Sequence, residues 1–227
     1  MNDAGSTFRR DCAAAALVAA PLLIAVSSAL APSFDGDEAT RLAAMSGVTP
    51  TISALTFLLA QLPLMVAFLG IGHLLRAASV RLSLWGTCLG VGGAFAHTVF
   101  GGISLLEQAM AADQPHRAVY AQLLSSIANG PIMLFGLLGL VGTVIGTLLL
   151  SIGLWRTKIG PRWVPPVLWA FLVVEFALTN VTPYAAYLSP VLALAAFSAL
   201  AVEVHTQPPT QWATYEIPAE PATTTSV

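Results

Sequence analysis

The sequence predicts an all-α membrane protein, a bundle of six transmembrane helices with both termini in the cytoplasm, and three observations carry that prediction. Of 227 residues, 56% are hydrophobic and only 9% are charged, whereas a soluble domain carries charge on roughly a quarter of its positions. The mean hydropathy is +0.80, and the apolar residues gather into runs long enough to cross a hydrocarbon core of about 30 Å. The cations are divided unevenly: Arg9, Arg10, Arg76, Arg81, Arg156, Lys158 and Arg162 fall on one side of a six-span arrangement, and Arg41 and Arg117 on the other. Lys and Arg are retained on the cytoplasmic side of short loops, so this asymmetry places both ends there. The net charge of -2, with no basic run, excludes a nucleic-acid footprint. An excess of Arg over Lys and an abundance of Ala, Gly, Leu and Val match a bacterial coding bias, and with it a multi-pass location in the plasma membrane.

Residues 1–11 read as a polar cytoplasmic segment, and the first helix as 12–31 with a kink at Pro21. A cleaved signal peptide is the rival, because Ser28-Ala29-Leu30-Ala31 resembles a small-residue cleavage site; the apolar run is about twice a typical signal core, which favours a retained helix. The acidic loop that follows carries Asp35, Asp37, Glu38 and Arg41. Asp35-Gly36-Asp37 lacks the spaced ligands of a calcium loop, so a solvated loop with a short helix around Leu42 to Met45 is expected. The second helix spans 51–75 and is interrupted by Pro63. Gln61 lies two residues earlier, where its amide is expected to satisfy backbone left unpaired at the kink.

The third helix, 82–110, carries Gly86, Gly90, Gly93, His97, Gly101 and Ser104 at intervals of three or four, which puts them in one narrow stripe. Small residues so spaced form a close-packing surface in lipid. The connection to the next span holds a helix of its own, with Asp113 near its cap, Pro115 in its first turn and Asn129-Gly130 at its stop. Its apolar residues Val119, Tyr120, Leu123, Leu124 and Ile127 share one side, so it lies on the membrane or caps the bundle mouth. The fourth helix, 131–155, has a second small-residue stripe in Gly139, Gly142, Thr143 and Gly146, which predicts close packing of the third and fourth helices.

The fifth helix, 163–180, takes Pro165 and Pro166 in its first turn and ends near Asn180. The sixth is 184–204, with Pro190 near its start. Residues 205–227, rich in Pro and Thr, are expected to form a disordered cytoplasmic tail. Trp85, Trp155 and Trp163 map to the inner interface. Cys12 and Cys88 lie near cytoplasmic helix ends, where no disulfide is expected. A short echo relates Ile71-Gly72-His73-Leu74-Leu75-Arg76 to Ile152-Gly153-Leu154-Trp155-Arg156, as a parallel repeat of helix pairs would.

The layout, and in particular Gly153-Leu154-Trp155-Arg156 followed by Pro161-Arg162-Trp163-Val164-Pro165, resembles the actinobacterial multi-pass proteins grouped as the DUF4386 family. The resemblance covers all six helices and implies a plasma-membrane bundle. It implies no activity and no catalytic residue.

Chemistry is expected where polar groups sit at membrane depth. Glu175 lies roughly 18 Å into the fifth helix and His97 roughly 23 Å into the third, counted from the inner side at 1.5 Å per residue. An ionised carboxylate at that depth is costly, so Glu175 is expected to be protonated or paired. Thr179 and Thr182 extend its face, and Gln61 completes a candidate intramembrane polar site of Glu175, His97, Gln61 and Thr179. The glycines Gly86, Gly90, Gly93, Gly101, Gly139, Gly142 and Gly146 are assigned to helix packing.

Two readings of that site stay open. In one, Glu175 and His97 are interhelical glue in a structural or regulatory bundle whose partners are lipid, other membrane helices or a second copy. In the other, they form a proton-titrating pair of a proton-coupled carrier of a small molecule or ion. Paired haem histidines are not expected, because His73 lies at the inner end of its helix and His97 in the outer half of its own. Two ligands fall short of a zinc site, so no metal and no cofactor are assigned. The chain has no nucleophile elbow, phosphate-binding loop or HExxH pair, so catalysis is not expected.

Overall fold

The computed structural model describes residues 4–32, 37–128, 130–179, 181–182 and 184–213, and every regular element among them is helical. In order these are α1 (Ala4–Leu30), α2 (Glu38–Ala44), α3 (Val48–Leu75), α4 (Val80–Ala112), a 3₁₀ turn (Gln114–His116), α5 (Arg117–Ala128), α6 (Ile132–Thr157), α7 (Val164–Val173), a π turn continuing it (Val174–Leu178), α8 (Ala185–Thr206) and a final 3₁₀ turn (Pro209–Trp212). Five of them, α1, α3, α4, α6 and α8, are long and apolar enough to cross a membrane, and α7 with its π turn is a shorter apolar helix. Asp35, Asn129 and Asn180, to which the sequence assigns loop and helix-end roles, lie outside the described residues.

The six apolar helices close into a ring. α1 packs on α3, α3 on α4, α4 on α6, α6 on α7, α7 on α8, and α8 returns to α1. Their buried faces share one core that includes Leu17, Phe68, Leu150, Leu168 and Phe197. Large apolar side chains on the opposite faces, such as Leu59, Leu62, Leu69, Leu134 and Leu137, are exposed, as lipid-facing residues are.

The α4–α6 contact is the most extensive in the ring, and it is built on backbone rather than side chains. A Cβ at Gly146 would lie 2.5 Å from the Gly90 nitrogen, and one at Gly93 2.5 Å from the Thr143 nitrogen. Gly142 meets the Leu89 carbonyl, Gly86 meets Leu150, and Gly101 turns instead to Leu58 of α3. Without a hydrophobic drive between helices in lipid, such close approach is where the dispersion energy of association comes from. α7 is tied to α6 by a hydrogen bond from Trp169 Nε1 to Ser151 Oγ of 2.7 Å.

One end of the ring is capped by α2 and α5, which enclose a small core of Leu42, Ala111 and Leu124. Asp37 caps α2 by accepting from the Thr40 N–H at 2.9 Å. Arg41 of α2 donates to both carboxylate oxygens of Glu107 on α4, at 3.0 and 2.7 Å, and also to Glu38. These two carboxylates, Glu107 foremost, drive the Arg41 pKa upward. Below α4, Asp113 accepts from His116 and from Tyr120, and both bonds hold its carboxyl below the usual carboxylate range.

Helical and turn structure extends past the expected boundaries at both ends of the chain. α1 begins at Ala4, inside the stretch 1–11 expected to be a polar segment; Arg10 pairs with Asp11 and donates to the Gln207 carbonyl at 3.2 Å, so these charges are compatible with a projecting helix end. The disordered tail expected from residue 205 is corrected for residues 205–213. Trp212 is buried and stacks on His73 with ring centroids 4.1 Å apart, and the Gln211 carbonyl accepts from Arg76 at 2.7 Å. One large aromatic ring inserted between helix ends supplies the apolar burial that composition alone does not reveal. The rest of the tail, 214–227, lies outside the described residues.

Candidate functional site: a cavity on the axis of the ring

All six ring helices contribute to one cavity of about 90 Å³. Pro21 comes from α1, Gln61 from α3, His97 from α4, Thr143 from α6, Glu175 from the π turn after α7, and Ser189 from α8. Three of the four residues that sequence marks as an intramembrane polar site therefore line one space. The fourth, Thr179, does not. Its hydroxyl donates to the backbone carbonyl of Glu175.

Glu175 is placed by an irregular stretch of helix. The π turn Val174–Leu178 inserts one extra residue into the helical repeat, which rotates the residues after it relative to an α-helical register. Across the cavity, Ser189 Oγ donates to Glu175 Oε2. Ser189 precedes Pro190, which also lines the cavity and interrupts the hydrogen-bond ladder of α8.

His97 owes its position to a glycine on the facing helix. A Cβ on Gly139 would lie 2.6 Å from His97 Cδ2 and 2.9 Å from Nε2, so the imidazole occupies the space that a side chain at 139 would take. Its ring lies 6.0 Å from that of Phe57. No hydrogen bond or ion pair joins His97 to Glu175 among the described residues.

Gln61 is 1% exposed, and its Nε2 donates to the Phe57 carbonyl at 2.9 Å. This corrects the expected role at the kink: the carbonyl that Pro63 deprives of its helical donor is that of Leu59, not Phe57. Because the amide NH₂ must face the Phe57 carbonyl, the oxygen is fixed as the free end, and Gln61 Oε1 has no partner. Thr143 Oγ1 is the other buried side-chain atom left without one among the described residues. Buried polar groups in native proteins are almost always satisfied by protein or by ordered water. Both residues border the cavity, whose wall is otherwise largely apolar, and Thr143 Oγ1 faces Gly93 of α4.

Sequence reading missed Ser189, because a lone serine is unremarkable in an apolar helix; its place beside Pro190, in the helix that follows Glu175, is the available signal. Thr143 was visible only as part of a glycine stripe. His73, set aside as a haem ligand, lies at the end of α3 against Trp212 and Gln211, away from the cavity. No group of three or more candidate metal ligands occurs among the described residues. No family model, curated protein or solved structure matches the chain.

Proposed function

We propose that this multi-pass membrane protein carries a hydrated intramembrane site at which Glu175 exchanges protons, and that it works as a proton-coupled carrier of a small solute. The observation behind this reading is that Glu175, with one carboxylate oxygen free of a hydrogen bond among the described residues, lines one cavity together with His97. A carboxylate that serves only as interhelical glue has both oxygens satisfied, whereas a free oxygen beside a cavity suits an exchangeable occupant. A π turn at the carboxylate points the same way, since such turns recur at functional sites. The reading takes the ring as six spans, α7 with its π turn being the sixth, and keeps both termini cytoplasmic on the cation count. The likeness of Gly153-Leu154-Trp155-Arg156 and its following turn to DUF4386 proteins is kept as a proposal of kinship, with no activity attached.

The structural or regulatory reading has one observation in its favour, the Ser189 to Glu175 hydrogen bond, which satisfies one carboxylate oxygen from the next helix. Infrared difference spectroscopy of lipid-embedded protein separates the two. On the carrier reading, a carboxyl band missing in Glu175→Gln grows and fades with bulk pH and shifts in His97→Asn. A band indifferent to pH leaves the bundle as a structural one.

A further inference from the structure

We infer that the axial cavity takes a small protonated amine, of the size of ammonium or methylammonium. This rests on the reading of the cavity as a site open to exchange, and it adds the class of solute. The lining is largely apolar, and its one carboxylate is Glu175. Glu175 has one oxygen engaged by Ser189 and the other without a hydrogen-bond partner among the described residues. No Lys or Arg lines the cavity, and Glu175 and His97 are its titratable groups. A guest that satisfies such a lining must bring N–H donors and positive charge.

The rest of the wall discriminates among cations. Phe57, Phe68, Phe171, Phe176 and Phe197 contribute rings; aromatic rings attract a desolvated organic cation, whereas the few oxygens among them fall short of the full shell that a hard metal ion takes. Size limits the guest further. An engineered cavity that binds benzene measures about 150 Å³, so about 90 Å³ holds a solute smaller than a benzene ring.

The test is a titration of the full-length protein in lipid nanodiscs with isotopically labelled methylammonium, followed by saturation-transfer NMR. Sodium and tetramethylammonium serve as competitors. Saturable binding is expected, displaced by ammonium and by neither competitor. It should weaken at least tenfold in Glu175→Gln and vanish in Ala193→Phe, which fills the cavity. Thermal unfolding of each variant reports whether it is folded, and competition by sodium on the wild type keeps the test decisive where a variant is not. Absence of saturable binding to the wild type overturns the inference, as does equal displacement by sodium or binding unchanged in folded Ala193→Phe. Should binding be absent while the Glu175 band still follows pH, the amine is wrong and the proton-exchange reading stands. If the band is silent as well, both fall.

Discussion

Thr143 is the residue at which the hydrated and the dry accounts of the cavity predict different outcomes. A buried hydroxyl without a partner costs about 1–3 kcal/mol, so in a dry cavity Thr143→Val removes that cost and stabilises the protein by a similar amount. In a hydrated cavity the hydroxyl is already bonded to water, and the same change brings no gain. No increase in stability is therefore expected for Thr143→Val in thermal or denaturant unfolding of detergent-solubilised protein. Gly139 gives a second test. Its Cβ would lie 2.6 Å from His97 Cδ2, so Gly139→Val should displace the imidazole, cost about 1–3 kcal/mol as overpacking does, and remove the effect of His97 on the Glu175 carboxyl band. At this scale much of the site was legible in the sequence, because Glu175, His97 and Gln61 are conspicuous against an apolar background where polar groups are expensive. Ser189 and Thr143 were not, since hydroxyl residues are common in membrane helices and bond their own backbone there.

The elements were legible to the extent that hydropathy and small-residue spacing define them. The glycine stripes of α4 and α6 meet backbone to backbone because the periodicity that reveals them is the geometry by which they pack. The π turn of Val174–Leu178 was not readable, as it depends on how α7 meets its neighbours rather than on local composition, and neither was the turn of Thr179 Oγ1 back to the Glu175 carbonyl. The ion pair between Arg41 and Glu107 was equally hidden, because it joins residues 66 apart in sequence. With Glu107 only 9% exposed and Arg41 22% exposed at the side chain, Glu107→Gln should cost about 2–3 kcal/mol. That is less than the about 3–5 kcal/mol of a fully buried pair, because Arg41 keeps Glu38 and some water. Faster hydrogen exchange across α2 and α5, with α3 unchanged, is the accompanying signature.

For the whole molecule, the closed ring of six helices turns separate polar residues into one site, since each helix brings a residue to a common axis. Five helices have the length to span, and the sixth, residues 164–178, covers roughly 22 Å at 1.5 Å per residue. An even number of crossings leaves both termini on one side, so reporters fused to either end should give the same, cytoplasmic, signal; opposite signals mean that the shorter helix does not cross. The central claim is that water reaches Glu175 inside this ring, and deuterium exchange tests it most directly. Lipid-embedded protein held at a pH that protonates the carboxyl is transferred to D₂O while the infrared band assigned by Glu175→Gln is followed. A downshift complete within seconds to minutes, slowed in Ala193→Phe, is the predicted result. A band that keeps its proton for hours while the protein stays folded would show a sealed, dry carboxyl and contradict the account.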